Sequence, residues 1–337
     1  MLLHAARRLL LAVAIFLLAS LAIFSAIRAI PGDPVALRLK NPDPARVAEE
    51  RARLGLDRPA HVQYATYLRD FVRGDWGRSL TVGRPVRTDI AEFLPATLEL
   101  SIVALALGIC VGVATALLSE ALHSAWLRRF SFFLGTLGLT VPIFWIGLLL
   151  IVVGTLLLGW FPAGGRFDLA HATPRGTGFH LLDTLLAGDA NGFWIAAHHL
   201  VLPALCLSLY PAAQVCSVLQ ARLQDPKVGA MLLSLRARGF GPARVWLRHV
   251  LRLVSAPVVT VIGTNFGALL GGAVLTETVF SWPGIGRYLV TAVLDRDVYV
   301  VQNLLLLVIV LVLVVVFIAD LVAVKLNPSG LREEDDA

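Results

Sequence analysis

Charge is the first thing this sequence is short of. Aspartate, glutamate, lysine and arginine make up 15% of its 337 residues, where soluble globular chains carry roughly 25%. Apolar residues reach 57% and mean hydropathy is +0.78, a balance that suits lipid better than water. Lysine is scarcer still, being confined to Lys40, Lys227 and Lys325. None of the three follows a glycine or precedes a serine or threonine, which excludes a G-x-x-x-x-G-K-[ST] phosphate loop. If ATP powers this protein, another chain must bind it. H-E-x-x-H and G-x-S-x-G are also absent, and no apolar run holds a pair of acids. No catalytic residue, metal ligand or bound cofactor is therefore expected on this chain. Cysteine is limited to Cys110, Cys206 and Cys216. They lie in apolar stretches without CxxC spacing or a histidine cluster and read as small buried hydrophobes.

The basic residues are 26 Arg and 3 Lys, giving a formal net charge of +6. In a soluble chain that excess would point to nucleic acid. In an apolar chain it marks the loops held on the cytoplasmic side of a membrane. Membrane lipid, and not nucleic acid, is the partner that composition implies.

Six runs meet the requirement of about 20 apolar residues for crossing a hydrocarbon core near 30 Å thick. They are Leu9–Ile27, Leu98–Leu118, Phe132–Leu158, Ile195–Leu219, Val254–Val274 and Val300–Val324. The first follows Arg7 and Arg8, is too long for a signal-peptide core and lacks a small-residue cleavage site, so it reads as a retained anchor. The fold class is thus an all-α integral membrane protein with six spans. Gln220–Arg252 carries seven basic residues against Asp225 alone, and Arg7, Arg8, Arg128 and Arg129 fall on the same side, so both termini are expected in the cytoplasm. Pro31–Glu92 then lies outside, its eleven basic residues offset by nine acids. Three parts follow: residues 1–92 (first span and external segment), 93–326 (the domain of the other five spans) and 327–337 (a short cytoplasmic tail).

Within the external segment, Asp43-Pro44 starts a helix, Val62, Ala65, Leu68 and Phe71 have near-helical spacing, and Gly74-Asp75-Trp76-Gly77 reads as a turn. Gly159–Asn191, rich in Gly, Pro and Asp, reads as loop. The centres of the spans lack Asp, Glu, Lys and Arg; Glu99 stands at an entrance, Asp320 near an exit, and His198 and His199 at an interface. Gln214 and Asn265 are the strong polar groups well inside. A proton relay would need more.

Two backbone devices stand out. Gly263, Gly267 and Gly271 recur every four residues, beside Asn265, and suit a helix-packing or pathway-lining face. Arg236-Ala237-Arg238-Gly239 closes a short helix with a glycine turn, and Pro242 starts another in which Arg244, Arg248 and Arg252 fall at i, i+4 and i+8. That basic stretch suits either lipid headgroups or a cytoplasmic partner.

Several strings occur in order along the chain: Pro31-Gly32-Asp33-Pro34, Leu54-Gly55-Leu56-Asp57-Arg58-Pro59, Gly74-Asp75-Trp76-Gly77-Arg78-Ser79, Leu94-Pro95-Ala96-Thr97-Leu98-Glu99, Pro142-Ile143-Phe144-Trp145, Gly159-Trp160-Phe161-Pro162 and His199-Leu200-Val201-Leu202-Pro203-Ala204. The most specific is Glu277-Thr278-Val279-Phe280-Ser281-Trp282-Pro283-Gly284-Ile285-Gly286-Arg287. Together they resemble the permeases of the ABC superfamily's dipeptide, oligopeptide and nickel importers. The resemblance implies the type I ABC importer permease fold in a bacterial inner membrane and a non-catalytic translocation subunit for peptides or a related small solute. It implies a second, related permease, two ABC ATPases that bind the ATP and Mg, and an extracytoplasmic solute-binding protein. It also makes Arg236, Ala237, Arg238 and Gly239, with Arg244 and Arg248, the loop that couples ATPase closure to the spans. A proton-coupled secondary transporter and a membrane scaffold remain as rivals.

Overall fold

The computed structural model describes residues 2–29, 43–53, 55, 57–122, 124–168 and 176–326. The Pro31-Gly32-Asp33-Pro34 string and the 327–337 tail lie outside them. The helices are α1 (Leu2–Ala29), α2 (Pro44–Arg53), α3 (Ala60–Arg73), α4 (Val86–Ala121), α5 (Ala125–Thr140), α6 (Ile143–Ile151), α7 (His180–Leu186), α8 (Ala190–Leu223), α9 (Pro226–Ala237), α10 (Leu251–Val279), α11 (Ile285–Leu294) and α12 (Val298–Leu326). Among the described residues there is no β-strand, only an isolated bridge between Arg78 and Pro85.

Four of the expected spans are single helices, longer at both ends than the apolar runs, and α1 similarly overshoots the first. The third is not continuous. Proline has no N–H and pushes the residue before it out of the α region. Val141, ahead of Pro142, is accordingly extended at φ −86°, ψ 131°, and α5 and α6 meet at 111°.

Contacts show that the broken pair still crosses the bundle. At one end Gln220 donates to Ser131 Oγ (2.8 Å) and Gln224 to Glu120 (3.3 Å), which brings the last turns of α4 and α8 beside the start of α5. Midway, a Cβ on Gly138 would meet the Leu209 carbonyl and Ala213. At the other end His198 Nε2 donates to the Trp160 carbonyl at 2.5 Å, past a π-helical turn at Val152–Leu157 that ends α6. The α5–α6 pair thus runs the full length of α8. The same reasoning sets the rest. Val254 and Val261 of α10 pack with Leu219 and Leu223, Leu269 and Ala273 pack with Leu100 and Leu207, and Arg8 pairs with Asp320 at 3.3 Å. Among the described residues the helices make six crossings, the bent pair counted as one, and Leu2 and Leu326 lie at the same end.

The core is the parallel pair α4 and α8. Gly108 abuts Pro211 and the Ser208 carbonyl, and Gly112 abuts Ala212 and Val215, at distances that leave no room for a Cβ. Outside this core, Asp43 accepts from Ala45 N (3.2 Å) at the start of α2, and α3 ends at Gly74 in the left-handed region, φ 75°. Tyr64 and Tyr67 of α3 reach Ser20 (2.7 Å) and the Gln302 carbonyl (3.3 Å), laying α3 across the far ends of α1 and α12. The stretch expected to be loop, Gly159–Asn191, contains α7. Its local pattern is too short to register as a helix, and tertiary contacts from Glu99 hold it. Since α4 begins at Val86, the 92/93 boundary falls inside a helix.

Candidate functional site

The basic stretch is built as its residues require. Asp225 caps α9 by accepting from Lys227 N at 2.8 Å, and Pro226 takes the first helical position. α9 ends at Gly239, whose φ of 79° a residue with a Cβ adopts only at a cost. Pro242 restarts the helix. The structure then departs from the expected i, i+4 register, because Val245–Val250 form a π-helical turn before α10. The wider turn lets Val245 and Val250 both bury in the cluster around Leu219. Arg236, Ala237, Arg238, Gly239, Arg244, Arg248 and Arg252 are all exposed. Arg244 stacks over Phe240 with 5.3 Å to the ring centroid, and Phe240 meets His249 edge-on. The turn is held to the bundle by its apolar residues and offers its cations outward.

The glycines of α10 do not act as one stripe. Gly263 faces Ala319 and Gly267 faces Val312 across the α10–α12 seam. Gly271 is exposed with nothing within 4 Å. Asn265 points to the opposite, buried side, where its Nδ2 donates to the Val261 carbonyl at 2.7 Å and its Oδ1 has no partner.

At the other end of the bundle, the Glu277–Arg287 string folds into a bracket. Thr97 donates to Glu277 at 2.5 Å and accepts from Ile285 N at 2.8 Å. Glu277 also accepts from Arg287 N (2.8 Å), so it caps the start of α11. Trp282, fully buried, donates to the Ala96 carbonyl at 2.9 Å. Beside it Arg166 forks onto Glu99 Oε2 at 2.5 and 3.1 Å, both side chains 5% exposed. Glu99 also accepts from Leu181 N (2.8 Å) and Arg166 donates to the Gly178 carbonyl (2.7 Å). Ser79 and Thr81 N converge on Asp297.

Electrostatics outside the spans follow from burial. Burial, aided by the Arg166 cation, pushes His180 down to about 4; its ring stands on Phe167 and its Nδ1 is unpartnered. Burial alone would raise Asp183, but donors from Thr177 and Gly178 outweigh it and hold the carboxyl below its usual value. Tyr288, half-buried and donating to Asp89 at 2.8 Å, is pushed well up, first by its partial burial and then by that bond.

Sequence reading missed Arg166, Asp183 and His180, because they fall in the stretch taken as loop. Nothing local pairs Arg166 with a carboxylate 67 positions away. Among the described residues no three of His, Cys, Asp and Glu gather as a metal site.

Two family profiles cover nearly the whole chain. One, described as the binding-protein-dependent transport system inner membrane component, matches residues 108–329; its N-terminal companion matches residues 1–101. A di/tripeptide transport system permease protein of Pseudomonas aeruginosa (strain UCBPP-PA14) is 41% identical, over 96% of this chain and 97% of the relative. A dipeptide transport system permease protein of Escherichia coli (strain K12) is 35% identical over 96% of each. A glutathione transport system permease protein of Escherichia coli O1:K1 / APEC is 32% identical over 98% and 99%. With six crossings and both profiles in order, the chain belongs to the family of binding-protein-dependent transport system inner membrane components.

Proposed function

We propose that this chain is the translocating permease subunit of an ATP-driven importer of di- or oligopeptides, set in a bacterial inner membrane with both termini in the cytoplasm. The observation that carries the reading is the exposed basic turn at Gly239, standing at the end of the bundle where Arg7, Arg8, Arg128, Arg129 and Arg222 also lie. Its arginines offer a docking surface to two ABC ATPases, which bind the ATP and Mg that this chain has no phosphate loop to hold. A second, related permease completes the pathway, and a solute-binding protein delivers the peptide to the opposite end. Peptide is the substrate class that the relatives' names share, glutathione included. The proton-coupled reading is less favoured: the acids of the spans sit at their ends, and Glu99, Glu277 and Asp320 are engaged in ion pairs or hydrogen bonds.

Reconstitution tests this. Proteoliposomes with both permeases, the ATPases and the binding protein should accumulate a labelled dipeptide only with ATP. The single chain, given a proton gradient, should accumulate none; clear uptake by it alone would overturn the reading.

A further inference from the structure

The break in the third span leaves a cavity of about 360 Å³, within the range of small-molecule sites, about 300–1,000 Å³. Val141 and Ile143 at the break, Leu207 and Tyr210 of α8, and Ala268 and Gly272 of α10 line it. Leu207 and Ala268 lie near the middles of their helices, so the cavity sits deep in the bundle. Apart from Tyr210 and the Cys206 thiol, the side chains that line it are apolar. Gln214 Nε2 donates to the Tyr210 hydroxyl at 3.1 Å, which leaves the phenolic proton free to be given to another acceptor.

The surface that continues from the cavity differs from the faces turned to lipid. Leu10, Leu18 and Leu21 of α1 and Val314, Ile318 and Val322 of α12 are exposed and aliphatic. Beside the cavity, the exposed residues include Leu139 together with Thr136 and Thr140 of α5 and Thr264, Ala268 and Gly271 of α10. Each of these threonines spends its proton on its own helix: Thr136 on Phe132, Thr140 on Thr136, and Thr264 on Thr260 and Val261. What they show outward is oxygen lone pairs without charge. Those acceptors, set around an apolar cavity, suit a solute that carries both N–H donors and apolar groups.

We propose that the cavity is a mid-membrane subsite that takes an apolar side chain of the transported peptide while the Tyr210 hydroxyl donates to a carbonyl of its backbone. The inference rests on the peptide-permease reading and adds a place and a preference to it. An uncharged site with one directional donor orients a peptide without trapping it, because no ion pair must be broken for the peptide to leave.

The test uses the full reconstituted complex and compares uptake of diglycine and dileucine. Ala268→Trp adds bulk from an exposed rim position. Dileucine uptake should fall by roughly tenfold or more relative to diglycine, the scale on which apolar pockets discriminate. Tyr210→Phe, nearly isosteric, should lower uptake of both peptides together. Equal effects of Ala268→Trp on both peptides, or unchanged uptake by Tyr210→Phe, would overturn the subsite. If the wild-type complex moves neither peptide, it is the underlying peptide reading that has failed, a distinct result. Ala268→Cys, in a chain with Cys110, Cys206 and Cys216 replaced by alanine, separates a solute path from lipid. Reaction with a hydrophilic thiol reagent supports the proposal, and reaction with a lipid-soluble reagent alone overturns it.

Discussion

Arg166→Met asks whether the bracket at the Trp282 end is held by charge that water cannot reach. Arg166 and Glu99 are each 5% exposed, and the guanidinium makes two bonds to one carboxylate oxygen. Methionine retains packing near the Trp282 ring, which the guanidinium carbon faces at 5.8 Å. It strips Glu99 of its counter-ion and the Gly178 carbonyl of a donor. An exposed pair would cost at most about 1 kcal/mol to lose. Removing one partner of a buried pair costs about 3–5 kcal/mol, because a charge is stranded. The larger figure is expected here. Since the stranded charge is the cause, adding Glu99→Gln should restore most of the loss while keeping an acceptor for Leu181 N. The assay is reversible unfolding of the permease in mixed detergent micelles for all four members of the double-mutant cycle. A single-variant loss below about 1 kcal/mol, or a double variant no better than Arg166→Met, would refute the reasoning.

The neutral form of His180 is favoured in the fold, with a value near 4 against 6.5 for the free side chain. Stability present above pH 6.5 should therefore decline as pH falls toward about 4. Hydrogen exchange of α7 against pH reads this, and His180→Gln should flatten it. Gly263→Ala would drive a methyl into Ala319 and should cost about 1–3 kcal/mol. Gly271→Ala meets nothing and should be neutral or stabilising by up to about 1 kcal/mol; equal penalties in thermal unfolding would sink the asymmetry. Gly239→Val forces a β-branched residue to φ 79°, a strain of about 1–2 kcal/mol. The complex should still assemble but lose stimulation of ATP hydrolysis by loaded binding protein; wild-type stimulation would argue for mere headgroup anchoring. In intact cells an impermeant thiol reagent should modify Asp75→Cys and spare Arg238→Cys, and the reverse pattern would invert the orientation.

The sequence alone determined how many times the chain crosses and where. A span needs about 20 consecutive apolar residues, and that signal survives without any neighbour, as the Ile195–Leu219 run does inside α8. Turn chemistry was local in the same way: Asp43 before Pro44, Gly74 after α3, and Gly239 between two short helices all act where the sequence places them. Hydropathy measures how apolar a run is and carries no direction, so the 111° break at Pro142 was invisible although the proline itself was in view. The glycine repeat of α10 promised one face, but only the path of α12 decided that Gly263 and Gly267 are covered and Gly271 is open. The buried pair of Glu99 and Arg166 needed the fold most. A charge enters an apolar bundle only beside its partner, and α4 and the loop before α7 meet only once the helices have packed.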